Sequence, residues 1–180
     1  MLQITVPATE CWDDKKQEFI SIKEQTLQLE HSLVSLSKWE SKWCKPFLHT
    51  DNKTDEEVLD YIKCMTITQN IDESIYDRLT SSNIEAVMDY ISAPMTATWF
   101  SNEKKPGVSR EKTTSELIYY WMTALNIPME CQKWHLNRLL TLIRIAGEKN
   151  QPPKKMNKND ILKQNRALNA RRKAKYKTRG

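Results

Sequence analysis

Thr26-Leu27-Gln28-Leu29-Glu30-His31-Ser32-Leu33-Val34-Ser35-Leu36-Ser37-Lys38-Trp39-Glu40-Ser41-Lys42-Trp43 contains a change of period, and the fold class follows from it. Up to Leu29, apolar and polar residues alternate, as on a strand with one buried face. From Ser32 the apolar residues Leu33, Leu36, Trp39 and Trp43 recur every three to four positions, the spacing of an amphipathic helix. Ser32 is a suitable N-cap, and Pro46 sets the far limit.

Towards the N-terminus the strand pattern continues. Leu2, Ile4 and Val6 alternate up to Pro7, and residues 18–23 have the aromatic and β-branched content of a second strand. The stretch between them, Pro7 to Asp14, reads as turn-like at both ends. Residues 1–30 therefore form a small β-hairpin or meander.

Towards the C-terminus the pattern is helical. Thr54 and Glu57 make a capping box ahead of Val58, Tyr61, Ile62 and Met65. Asp72 opens a short helical turn through Tyr76 and Leu79. Ser82 caps a helix burying Ile84, Val87, Met88 and Ile91, which stops before Pro94. Residues 95–100 are strand-like or a packed loop, and 101–112 are a polar loop around Pro106-Gly107. Thr113 and Glu116 form another capping box, leading into Leu117, Tyr120, Trp121 and Ala124. Pro128 starts the longest body helix, which Gly147 ends. Its buried stripe is Met129, the Lys133 stem, Leu136, Leu140 and Ile143, widened by Leu139 and Ala146. The expected fold is mainly α (α+β): a helical bundle over residues 31–147, with the β segment packed on it, and a basic tail, helical or disordered, over 148–180.

Composition fits this reading. Three glycines in 180 residues argue against a turn-rich β-sandwich or barrel. Apolar residues at 39% and charged residues at 28% suit a water-soluble globular chain. No run approaches the ~20 apolar residues of a membrane span, and the N-terminus lacks a signal-peptide pattern. The four cysteines are widely and irregularly spaced, so reduced thiols are expected. Charge is split along the chain. Residues 148–180 hold twelve Lys or Arg against Glu148 and Asp160, a net of +10, which leaves −5 for residues 1–147.

Sites for chemistry are sparse. Phosphate-cradling loops need closely spaced glycines, and there are none. Cys131 and His135 have metal-ligand spacing on a helix, but no second pair accompanies them, so a buried thiol and a hydrogen-bonded histidine is the better reading. Acidic pairs at Asp13-Asp14, Asp55-Glu56-Glu57 and Asp72-Glu73 sit at turns or helix starts, where the macrodipole favours them. Trp39 and Trp43, like Trp121 and Trp134, read as core packing rather than an aromatic platform. No metal, cofactor or catalytic residue is assigned, and the expected protein is not an enzyme.

The tail needs an external explanation. Its cations Lys163, Arg166, Arg171, Arg172, Lys173, Lys175, Lys177 and Arg179 are the candidate partner-binding residues. Asn159 is a candidate cap for a tail helix with a thin apolar face of Ile161, Leu162 and Leu168. Phosphate contacts, an acidic protein partner and a solvated tail all remain open.

Leu29 to Glu40, Met95-Thr96-Ala97-Thr98-Trp99-Phe100, Lys133 to Arg144 and the basic Asn165 to Arg172 together resemble small proteins of the tail assembly chaperone type, encoded in the tail-gene region of tailed bacteriophages. The resemblance covers most of the chain but rests on packing patterns rather than chemistry. It implies a chaperone or adaptor in the host cytoplasm that binds a long helical tape measure protein, shields its apolar surface before the tail tube polymerises, and is absent from the finished virion. It also implies, for many such proteins, a second form made by frameshifting. The alternatives are a nucleic-acid-binding accessory protein acting through the tail, and a structural tail or connector subunit of the virion.

Overall fold

The computed structural model of the chain describes residues 1–13, 17–100, 112–150 and 157–176. Met1–Glu148 and Lys149–Gly180 separate as two units. The fold is mainly helical with a small antiparallel β component, as the change of period at Ser32 requires.

Strands β1 (Leu2–Val6) and β4 (Gln25–Leu29) pair antiparallel, Leu2 opposite Leu29. Strands β2 (Thr9–Asp13) and β3 (Glu18–Ile22) pair in the same continuing register, Thr9 opposite Ile22. Residues 2–29 thus form one long hairpin whose ladder lapses around Pro7, which has no N–H to give. The segment read as turn-like therefore contains a strand, β2, because the Pro7 break conceals the continuing register. The near half of the hairpin serves the core: Ile4, Val6, Leu27 and Leu29 are buried. In the far half, Trp12 and Phe19 face each other edge-on with centroids 5.0 Å apart.

Helix α1 (Leu33–Trp43) starts at Ser32, whose hydroxyl accepts from Ser35 N–H, and ends on Cys44 in the left-handed region at φ 51°. Helix α2 (Asp55–Met65) starts at the Thr54–Glu57 capping box. The two helices meet through their largest side chains. Trp39 is fully buried, and its indole N–H donates to the Glu57 carbonyl at 2.9 Å. Trp43 N–H donates to Asp60 at 2.8 Å. Both indoles thereby satisfy their one polar atom, the usual condition for burying tryptophan. Phe47 and Tyr61 stack at 3.8 Å and wall in the Trp39 ring. Lys42 and Lys45 close the seam as ion pairs with Asp60 and Glu57.

A 3-10 turn (Glu73–Arg78) capped by Asp72 leads to α3 (Ser81–Ser92). Its cap is Thr80, in a box with Asn83, and not Ser82. Val87 and Tyr90 are its buried residues, with Ile84 and Ile91 half-covered and Met88 exposed. Residues 95–100 contain no strand. The loop expected at 101–112 lies, except for Lys112, outside the described residues.

Helix α4 (Ser115–Ala124) is capped by Thr114, not Thr113, and buries Ser115, Ile118 and Met122. The expected stripe through Leu117, Tyr120, Trp121 and Ala124 is rotated off the core by about one residue: Tyr120 and Ala124 are exposed, and Leu117 and Trp121 are half-buried. A long-range hydrogen bond accounts for the rotation. The buried Glu40 carboxylate accepts from Ser115 N–H at 2.7 Å with one oxygen and from Phe47 N–H at 3.0 Å with the other. It thus fixes the first residue of α4 against α1.

The long helix expected from Pro128 is two elements. A 3-10 turn spans Met129–Lys133, and α5 runs Leu136–Asn150. Leu136 N–H donates to the His31 carbonyl at 2.7 Å instead of to the turn before it, so the helix cannot run through Trp134 and His135. Met129 and Lys133 are exposed, while Leu136, Leu139 and Ile143 are buried. Gly147 lies inside α5 rather than ending it, in open space.

Glu40→Ala leaves two buried N–H donors without an acceptor and is expected to cost about 2–4 kcal/mol in urea unfolding. Glu40→Gln keeps the shape but sets an amide NH2 against one of those donors, so it too should destabilise, by about 1–3 kcal/mol. An unchanged midpoint for both would show that Glu40 does not hold α4 in place.

Candidate functional site: an apolar and cationic groove, and a basic helix

The end of β4 is the junction of the first unit. Glu30 N–H donates to the Met65 carbonyl at 2.9 Å, Ile67 N–H to the Gln28 carbonyl at 2.8 Å, and Ser32 bridges to His135. Side chains tighten it. His31 Nδ1 and the Tyr61 hydroxyl are 2.6 Å apart. The Tyr90 hydroxyl donates to Glu30 at 2.7 Å, and the Met1 ammonium pairs with the same carboxylate at 3.0 Å.

His135 caps α5. Its Nδ1 accepts from Asn137 N–H at 3.3 Å and its Nε2–H donates to the Tyr90 carbonyl at 3.0 Å, which fixes a neutral ring. The Cys131–His135 pair is therefore a buried thiol and a histidine with both nitrogens engaged. Among the described residues no group of three or more His, Cys, Asp or Glu is placed to hold a metal. Cys44, Cys64 and Cys131 are free thiols.

Two hollows open beside this junction and share Glu30 and Lys133 in their walls. One, of about 310 Å³, has Tyr90 and His135 in its lining with Met95, Trp134 and Arg138. The other, of about 400 Å³, lies between the Val34–Lys38 side of α1 and residues 64–67. Trp134 is 37% exposed, not a core residue, and the Arg138 guanidinium lies 4.4 Å from its ring centroid. Further along α5, Arg144 lies 3.7 Å from the Phe100 ring, next to Trp99, which is 92% exposed. Asn137 holds the chain after α3 by donating to the Ile91 and Ala93 carbonyls at 2.9 and 2.8 Å. Met95 follows in the left-handed region, φ 48°, a conformation rarely adopted by such a residue.

In the second unit, α6 (Lys158–Tyr176) carries Lys163, Arg166, Arg171, Arg172, Lys173 and Lys175, all exposed. At 3.6 residues per turn these six point to all sides of the helix and form no stripe. Ile161 and Leu168 begin a thin apolar line that Arg172 interrupts, and α6 has no buried residue. Asn159, expected as its cap, lies within the helix. Asp160 in the first turn and Lys173 and Lys175 in the last suit the helix dipole. Lys177 and Arg179 lie outside the described residues.

The tail residues are thus joined only by sharing a helix. The groove residues Lys38, Lys133, Trp134 and Arg138 were not selected from the sequence. The available signal was the i, i+4 spacing of Trp134 and Arg138 in a segment with too many apolar residues for one buried stripe. Comparison of the chain with family models, curated proteins and solved structures gives no match.

Burial, and the His135 ring beside it, push the pKa of His31 down to about 3, and burial lowers that of His135 as well. The unfolded chain protonates His31 near pH 6.5, whereas the folded chain keeps it neutral down to about pH 3, and His135 is shifted in the same direction. Stability is then full above pH 6.5 and falls as pH drops towards 3, by roughly 2 kcal/mol at pH 5 from His31 alone. His31→Gln should flatten the change in urea midpoint between pH 7.5 and pH 5, which lies above the range where carboxylates such as Glu57 titrate. Equal slopes for wild type and variant would exclude His31 as the source.

Proposed function

We propose that the protein is a non-enzymatic chaperone or adaptor of phage tail assembly, holding a long helical tail protein of the tape measure kind before the tube closes on it. One observation carries this reading beside the sequence resemblance. Trp134, Met95 and Trp99 stand open to water around α5, with Arg138 and Arg144 among them. Trp, Met and Arg are the side chains enriched where interfaces are buried, and each large apolar side chain covered by a partner contributes on the order of 1.5–3 kcal/mol. An amphipathic client helix gains the complementary cover for its own apolar stripe.

Co-expression with such a client should convert it from an insoluble to a soluble form that copurifies with this protein. Mass spectrometry of finished particles should lack the chain. A client that stays insoluble and never copurifies removes the adaptor reading, and stoichiometric presence in the particle favours a structural subunit instead.

A nucleic-acid reading has one observation in its favour, the placing of cations on all sides of α6. On that reading, duplex DNA binding weakens steeply with salt, and replacing Arg171, Arg172 and Lys173 with alanine lowers the slope of log K against log salt by about 0.9 per lost phosphate contact. Absence of binding at low salt excludes it.

A further inference from the structure

The two hollows around the β4–α1 junction carry an unbalanced charge. Lys38, Lys133 and Arg138 line them, and none forms an ion pair with a carboxylate among the described residues. The contrast within α1 and just beyond it is direct, since Lys42 and Lys45 are both paired with α2 carboxylates. Among the described residues Glu30 is the one acidic residue in either lining, and it is already engaged by the Met1 ammonium and the Tyr90 hydroxyl. Residues 1–147 carry a formal −5, so this is a local cationic groove on an acidic unit.

The groove is also apolar. Ile67 is exposed in one hollow, Met95 and Trp134 in the other. Apolar seats between unpaired cations match a helix that presents a Leu or Met stripe flanked by Asp or Glu. A long polyanion is a poor match. Its charge runs well past the groove onto the acidic remainder of the unit, whereas a single helix can place a few carboxylates beside the groove cations and none beyond the ~8 Å screening length at physiological salt.

We infer that the linked hollows bind an acidic amphipathic helix of a protein partner, its carboxylates on Lys38, Lys133 and Arg138 and its apolar stripe on Ile67, Met95 and Trp134. The inference rests on the adaptor reading for the identity of the partner, and it assigns docking to this groove rather than to the basic helix α6.

The test uses the full chain and a fluorescein-labelled synthetic helix with glutamates flanking a leucine stripe, set against its lysine-for-glutamate counterpart. Anisotropy should report binding of the acidic helix and not of the basic one. Lys133→Glu with Arg138→Glu should weaken binding by about tenfold or more, as should Lys38→Glu in the other hollow. All three positions are exposed, so the variants should keep the wild-type urea midpoint. Arg171→Ala with Arg172→Ala and Lys173→Ala should bind as wild type. The inference is overturned if the acidic helix is not bound, if the charge-reversed variants bind it equally well, or if the α6 substitutions abolish binding. In co-expression, a client retained by both wild type and the groove variants leaves the adaptor reading intact and removes the groove. A client retained by neither removes the adaptor reading, while the peptide measurement still decides the groove.

Discussion

The main-chain carbonyl of His31 accepts the N–H of Leu136 at 2.7 Å, and one residue to either side the same stretch of chain is tied to other elements. Glu30 takes the end of α2 through its N–H and the end of α3 through Tyr90. Ser32 begins α1 and bridges to His135. At Glu30 and His31 a strand has just ended and a helix has not yet begun, so the Glu30 N–H and the His31 carbonyl find their partners outside both regular elements. The incoming ends of α2 and α5 supply those partners. His31 and His135 fill the space behind as neutral rings, which is why acid opposes folding here.

The groove is a consequence of that junction. Where three helices converge on a chain crossing from strand to helix, their surfaces diverge on the outside and leave hollows. The 3-10 turn at Met129–Lys133 and the break after it set Lys133, Trp134 and Arg138 around the mouth. An unbroken helix through these residues would place Trp134 and Arg138 on one helical face, but without the His135 cap that anchors α5 to α3. The same polar contacts therefore stabilise the body and shape its most distinctive surface.

A second constraint comes from Glu40. One buried carboxylate accepts two backbone N–H groups from parts of the chain 7 and 75 residues away. Charge-assisted bonds of this kind are stronger than neutral ones and leave little latitude in position. The orientation of α4 follows from it. Ser115 turns inward with its N–H, Ile118 and Met122 follow at helical spacing, and Tyr120 is carried to the surface.

The sequence by itself determined what is decided within a few residues. The alternation through Leu29, the capping signals at Ser32 and Thr54, and the split between an acidic body and a basic tail all follow from local hydrogen bonding and composition. Trp39 was legible as core because only one apolar face exists on α1. Where a helix is apolar nearly all round, as in Leu117 to Leu125, periodicity offers several faces of similar merit, and the distant Glu40 chose among them. The interruption at Trp134–His135 was invisible because the carbonyl that competes for Leu136 belongs to residue 31. For the same reason the groove was not readable: Lys38, Ile67, Met95 and Lys133 are far apart along the chain, and only the tertiary structure, by bringing four chain segments to one junction, made them neighbours.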